Sequence, residues 1–308
     1  MSRSITVCHG IFGRISLTEC KRAKVLHATR EGQLLFLVSG ENVTVRINGE
    51  DVILSRDRAV AIDSFSAHEI PKIDSSNPAK ILSVCLDPMW FATRNSDSDI
   101  HWLKFDAHSI TVSAEIEHHL ENLLTFAEQS LPANQHEFHS AVEKRISLLS
   151  KACFGDSVET MAPCAQPSNP MTTCDSRIRK SLAIMHNHIR GNLCLDEIAR
   201  AAGLSRPHFY RLFRDNLGFT PNIYMNLLRM EFAIERLTRS NQPVTSIALD
   251  LGFASQASFT RFFGANQGIP PTDYRRLSCI PPALPADTTT PAEIDSVGIS
   301  QLHSVRVA

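Results

Sequence analysis

The chain has 308 residues, 43% of them hydrophobic and 20% charged, a globular composition with enough apolar material for two domains of ordinary size. No apolar run approaches the ~18 residues of a membrane helix, the opening MSRSITVCHG has no secretion-signal pattern, and the eight scattered cysteines form no C-x-x-C pair, so the expectation is a cytoplasmic protein with reduced thiols. The net charge of −1 hides an asymmetry: residues 175–277 hold 14 basic and 8 acidic side chains, a net +6, and the remainder carries −7. A basic segment on an acidic remainder points to a polyanionic partner for one part only.

The first hundred residues read as β-structure. QLLFLV (Gln33 to Val38) is an apolar run of strand length. Val43, Val45 and Ile47 alternate with polar residues, Asn48-Gly49 follows, and Val52 and Leu54 resume the alternation, which is the pattern of a two-residue hairpin. Short strands at this spacing suggest a sandwich or barrel over 1–105. Helical spacing takes over in 106–153. Ile116, Leu120 and Leu123 make one stripe, and Phe138, Val142, Ile146 and Leu149 make another. Such a helix pair covers the barrel, faces a second subunit, or does both. Residues 154–176 hold three prolines among small polar residues and read as a linker, and 278–308 reads as a disordered tail.

Residues 177–277 carry one frame twice. GLSRPHFYRLFRDNLGFTPNIY begins at Gly203, and GFASQASFTRFFGANQGIPPTDY begins at Gly252. The offset is 49 up to the glycine and 50 from Phe209/Phe259 onward, so one extra residue sits in the second turn. Each copy has a short helix, a glycine able to take positive φ, an apolar plug (Leu204, Phe253) and a second helix with a phenylalanine face. Ser205 and Ser255 are placed to cap those second helices. This is the grammar of a helix-turn-helix, whose second helix enters the major groove of DNA. The helix predicted between the copies, from Asn222 to Arg239, is about 27 Å long, close to the ~34 Å of one DNA turn.

Those blocks, with the connecting IYMNLLRMEFAIERL, resemble the DNA-binding domain of the AraC/XylS family of bacterial transcription regulators over about a third of the chain. The resemblance implies base-reading positions at Pro207, Tyr210 and Arg211 in the first copy and Gln256, Ala257, Ser258 and Arg261 in the second. Arginine can fork to guanine and glutamine to adenine, which supports part of that set on chemistry alone. Arg206 and Arg214, together with Ser205, His208, Ser255 and Thr260, are expected at phosphates. Gly264 stands where the family usually has lysine, which weakens the expected grip of the second copy.

The stretch from His27 to His68 resembles the cupin-type barrel that precedes this domain in many family members. His27, Glu31 and His68 are candidate lining residues. Thr29 replaces the second histidine of the cupin metal motif, so no metal or other cofactor is expected. The expected fold is α+β: a cupin-like β-barrel with a dimerisation helix pair, then an all-α domain with two helix-turn-helix motifs. The expected function is a non-enzymatic, homodimeric regulator, by analogy an activator, with promoter DNA, a small-molecule effector and RNA polymerase as partners. The alternatives are a cupin metalloenzyme with a helical appendage and a co-regulator acting through protein contacts.

Overall fold

Nine strands are laid down in the first ninety residues: β1 (Arg3–Gly10), β2 (Gly13–Cys20), β3 (Lys24–His27), β4 (Gly32–Ser39), β5 (Val43–Ile47), β6 (Glu50–Leu54), β7 (Arg58–Ile62), β8 (His68–Ile70) and β9 (Ala79–Leu86). The computed structural model describes residues 3–21, 23–73, 77–94, 103–128, 135–154, 175–189 and 194–279. With β10 (Ser109–Thr111) and β11 (Ser278–Cys279), the strands form a seven-stranded sheet, order β10-β7-β4-β9-β2-β1-β11, and a four-stranded sheet, order β3-β8-β5-β6. The expected closed barrel is therefore replaced by two sheets, with no ladder joining them among the described residues. The chain turns between Ser55 and Arg58, and β7 then enters the large sheet between β4 and β10, which leaves β6 as an edge.

The run that forms β4 is continuously apolar because both of its faces are covered. Leu35 and Leu37 join Val43, Val45, Ile47 and Ile70 in a core between the sheets. Leu34 and Phe36 face the other way, toward α2 (Ala114–Glu128) and α3 (Gln135–Phe154). All seven residues of the candidate dimerisation stripe, Ile116, Leu120, Leu123, Phe138, Val142, Ile146 and Leu149, are buried in that second core. The stripe therefore covers the large sheet, with its inner face buried within the chain. At Asn48 (φ 50) and Gly49 (φ 95) both turn residues have positive φ, as the Asn-Gly hairpin requires, with Ile47 opposite Glu50.

The boundaries differ from the expected ones at two short strands. β10 lies within 106–153 yet pairs with β7, and Ser278–Cys279, expected in the tail, pair in parallel with Val7 and Cys8 of β1. Of the expected linker 154–176, Phe154 ends α3 and Asp175 and Ser176 begin the next helix, while residues 155–174 and the tail beyond Cys279 lie outside the described residues. A short α1 (Pro88–Arg94) follows β9.

The C-terminal domain consists of α4 (Ser176–Asn187), α5 (Leu195–Ala201), α6 (Arg206–Leu217), α7 (Pro221–Arg239), α8 (Val244–Asp250), α9 (Gln256–Gln267) and α10 (Pro271–Leu277). It has two cores, and α7 belongs to both. Met225, Leu227 and Leu228 pack with Ile198, Phe209 and Phe213, whereas Met230, Ala233 and Leu237 pack with Ile247, Phe259 and Phe263. The two helix-turn-helix units are thereby fastened to opposite ends of one rod.

The sheets and the helical domain share a seam. Val7 lies in the second helical core, and Ala28 and Ala67 lie in the first. Arg14 Nη1 donates to Gln267 Oε1 (2.9 Å) and to the Tyr274 hydroxyl (3.3 Å), and the Tyr274 hydroxyl lies 2.8 Å from His9 Nε2. Arg30 also reaches Glu231 at 3.7 Å.

Candidate nucleic-acid interface

Both turns are built alike. Gly203 and Gly252 each have φ 75, and Gly218 and Gly268 close the second helices at φ 80 and φ 82. A β-carbon at such φ meets the following carbonyl, so only glycine takes these positions without strain. Leu204 N bonds Ala199 O, and Phe253 N bonds Ala248 O, both at 2.9 Å, which fixes the plug residue over the first helix of each unit. Phe209 and Phe213, like Phe259 and Phe263, are fully buried. Rotation along a 3.6-residue helix then turns the intervening positions outward.

The outward face of α6 presents Pro207 and Arg211, both exposed, and Tyr210, half-buried. Arg206 lies over the Tyr210 ring, 5.6 Å from its centroid, and Asn222 Nδ2 donates to the Tyr210 hydroxyl at 3.1 Å. The ring is thereby held in one orientation before any DNA arrives. Ser205, Arg206 and Arg214 are exposed around it and His208 is half-buried. Ser205 stands at the N-cap of α6, but its side chain makes no capping bond.

The outward face of α9 presents Gln256, Ala257 and Arg261, all exposed. Ser258 is different. Its hydroxyl donates to Ser255 O (2.7 Å) and accepts from Ser255 N (3.2 Å), while Ser258 N donates to Ser255 Oγ. The two serines form a capping box, which ties Ser258 and Ser255 to the start of the helix. In the chain without DNA the Ser258 hydroxyl is thus already bonded to the backbone. Thr260 is half-buried beside this face. Gly264 has ordinary helical φ, and a β-carbon there would come no closer than 3.8 Å to Ile269 O. The position could hold a side chain and does not.

A second concavity lies on the seam. A narrow cleft with a cavity volume of about 30 Å³ is lined by Arg14, Lys24, His27, Gln33 and His68 from the sheets and by Asn266 and Gln267 from α9. His27 and His68 are register partners on β3 and β8, with ring centroids 4.2 Å apart. The His27 and His68 Nδ1 atoms lie 2.8 Å from Val25 O and 2.9 Å from Ser66 O. Burial holds the His68 imidazole down to about 4, and burial with the neighbouring His68 lowers His27. Two neutral rings, a lysine and an arginine make a polar site. Glu31 is not part of this lining, and Thr29 Oγ1 donates to the Glu31 carbonyl at 3.0 Å. The set His27, Glu31 and His68 is therefore split, two of its members in the pocket and one outside it. Arg14 and Gln267, which the sequence did not single out, are central here. No local pattern marks either one.

Residues 198–277 match a family model described as a helix-turn-helix domain. Over 81 residues the chain is 37% identical to the RCS-specific HTH-type transcriptional activator RclR of Escherichia coli, covering 26% of this chain and 28% of that protein. Over 101 residues it is 35% identical to the transcriptional regulator Rob of Salmonella typhimurium, covering 33% of this chain and 35% of that protein. The matched region thus spans about a third of the length of such curated relatives. A solved structure of a ToxT variant from Vibrio cholerae aligns over 85% of this chain and 96% of its own, with a TM-score of 0.51 and 11% identity, a likeness of fold alone. With two helix-turn-helix units on one rod and these relatives over the same residues, residues 198–277 form an AraC-type helix-turn-helix domain like that of these transcriptional regulators.

Proposed function

We propose that the chain binds promoter DNA sequence-specifically, with α6 and α9 in successive major-groove segments on one face of the duplex. The duplicated frame carries this reading: two outward polar helix faces built in register and joined by a single helix, α7, about 28 Å long. Pro207, Tyr210 and Arg211 are the base readers in the first unit, and Gln256, Ala257 and Arg261 are those in the second. Arg214 and the exposed helix starts position the backbone. A small polar effector would bind by widening the seam pocket, about 30 Å³ as it stands, and would act on α9 through Asn266 and Gln267. The activity is activation of transcription, with RNA polymerase as the partner. A homodimer formed through α2 and α3 would use their outer faces, where Leu148 is exposed.

The test is selection of a randomised duplex library by the purified full-length chain. A two-part motif is expected, with half-centres about 10 bp apart. Log affinity is expected to fall linearly with log salt. A failure to enrich any motif, together with a flat salt response, would overturn the proposal.

A further inference from the structure

In both units the first residue of the recognition helix bonds to the second residue of the helix before it. In the first, Arg206, which opens α6, donates through Nη1 to Oδ2 of Asp196, the second residue of α5, at 3.2 Å. In the second, Thr245, the second residue of α8, donates through Oγ1 to Oε1 of Gln256, which opens α9, at 2.6 Å. The offsets between the pairs, 49 and 50, are those of the repeat itself. The same geometric position therefore carries an ion pair in one copy and a neutral hydrogen bond in the other.

We propose that Thr245 is a specificity-setting positioning residue that orients Gln256 at the start of its recognition helix, and that Asp196, at the same place in the first unit, is a positioning residue that restrains the charge of Arg206. The inference rests on the DNA-binding reading given above. Thr245 takes one of the two lone pairs of the Gln256 carbonyl oxygen and tethers that oxygen to α8, while Gln256 Nε2 has no hydrogen-bond partner among the described residues and is left to donate. A glutamine that pairs with adenine must donate to N7 and accept from N6 with the same amide. Holding its oxygen back favours a base edge that only accepts, and guanine offers N7 and O6. Asp196 acts on charge. It draws Arg206 across the Tyr210 ring and partly neutralises it, which withholds one cation from the phosphates.

The experiment repeats the library selection with T245V, T245S, Q256A and the T245V/Q256A double variant. Q256A identifies the base pair that Gln256 reads, as the position where preference disappears. Wild type is expected to favour guanine there. T245V is expected to shift the guanine-to-adenine ratio toward adenine by on the order of tenfold. T245S should restore it, and T245V should add nothing to Q256A. Thr245 is exposed, so the valine is tolerated by the fold. For the first unit, D196N should steepen the salt dependence of binding by about one phosphate contact, and should do nothing in an R206A background. Unchanged base preference in T245V, or a uniform loss across all four bases, would overturn the inference while the wild-type motif stands. A wild-type chain that enriches no motif would overturn both the inference and the reading beneath it.

Discussion

Arg211 is the exposed arginine that both units keep, with Arg261 as its counterpart, and the structure turns it away from every buried face. Arg211→Ala is expected to cost about 1–3 kcal/mol on the selected site and to relax preference at one or two base pairs. Equal losses on selected and scrambled duplexes would make it a phosphate clamp. Ser258 leads to the opposite expectation. Its hydroxyl closes the capping box with Ser255 from the N3 position, so Ser258→Ala should lower stability by about 0.5–1.5 kcal/mol, the net worth of one hydrogen bond, and leave base preference unchanged. A changed preference at one base pair would return Ser258 to the reading face. These two residues show what was legible at this scale. The spacing of phenylalanines tells which positions point outward, and that part of the site is read directly from the sequence. It does not tell whether an outward hydroxyl turns back to its own backbone, because a serine facing DNA and a serine capping a helix occupy the same place in the pattern. The contacts of Arg206 and Gln256 with the preceding helices were hidden for a similar reason, since they depend on how two helices cross.

Elements with a strong period were legible, and short ones were not. The Asn-Gly hairpin, both helix-turn-helix units and the α2/α3 stripes follow from spacings of two or about 3.6 residues. A three-residue β10 and a two-residue β11 complete no period, so nothing in sequence could announce them. The stripe on α2 and α3 marked residues that would be buried without saying against what. Within α9, Gly264 and the turn glycines offer a contrast that measurement can resolve. Gly264 has helical φ and room for a β-carbon. Gly264→Ala should therefore stabilise the chain by about 1 kcal/mol, since alanine loses less backbone entropy on folding. Gly203 has nothing within 4 Å of a β-carbon either, but its φ is 75, and Gly203→Ala should destabilise by about 1–2 kcal/mol. Urea unfolding of the two variants should move the midpoint in opposite directions. A shift of the same sign in both would mean that space, not backbone conformation, decides the outcome.

The seam belongs to the whole molecule, and no local pattern could show it: Arg14 and Gln267 are 253 positions apart, His9 and Tyr274 are 265 apart, and their meeting depends on how two domains settle. Its chemistry nonetheless gives a pH dependence of definite sign. Burial, aided by Arg14, holds His9 down to about 3, and burial holds His68 down to about 4, against an ordinary value of 6.5. Both are neutral in the folded chain at pH 7, and a neutral His9 can accept from the Tyr274 hydroxyl. Between pH 6.5 and about 4 the unfolded chain binds protons that the folded chain does not, so stability falls as the pH falls. The contribution is fully present above pH 6.5. His68 is almost wholly buried, and its share is on the order of 1 kcal/mol per pH unit within that window. Urea midpoints should thus drop from pH 7 to pH 5, and His68→Gln should flatten the slope by that share. Protection against hydrogen exchange at Tyr274 and along α10, relative to the intrinsic rate at each pH, should fall over the same range, because His9 takes up a proton only when the seam opens. A slope unaltered by His68→Gln would show that this imidazole titrates alike in both states, and with it would go the view of the seam pocket as a site lined by neutral histidines.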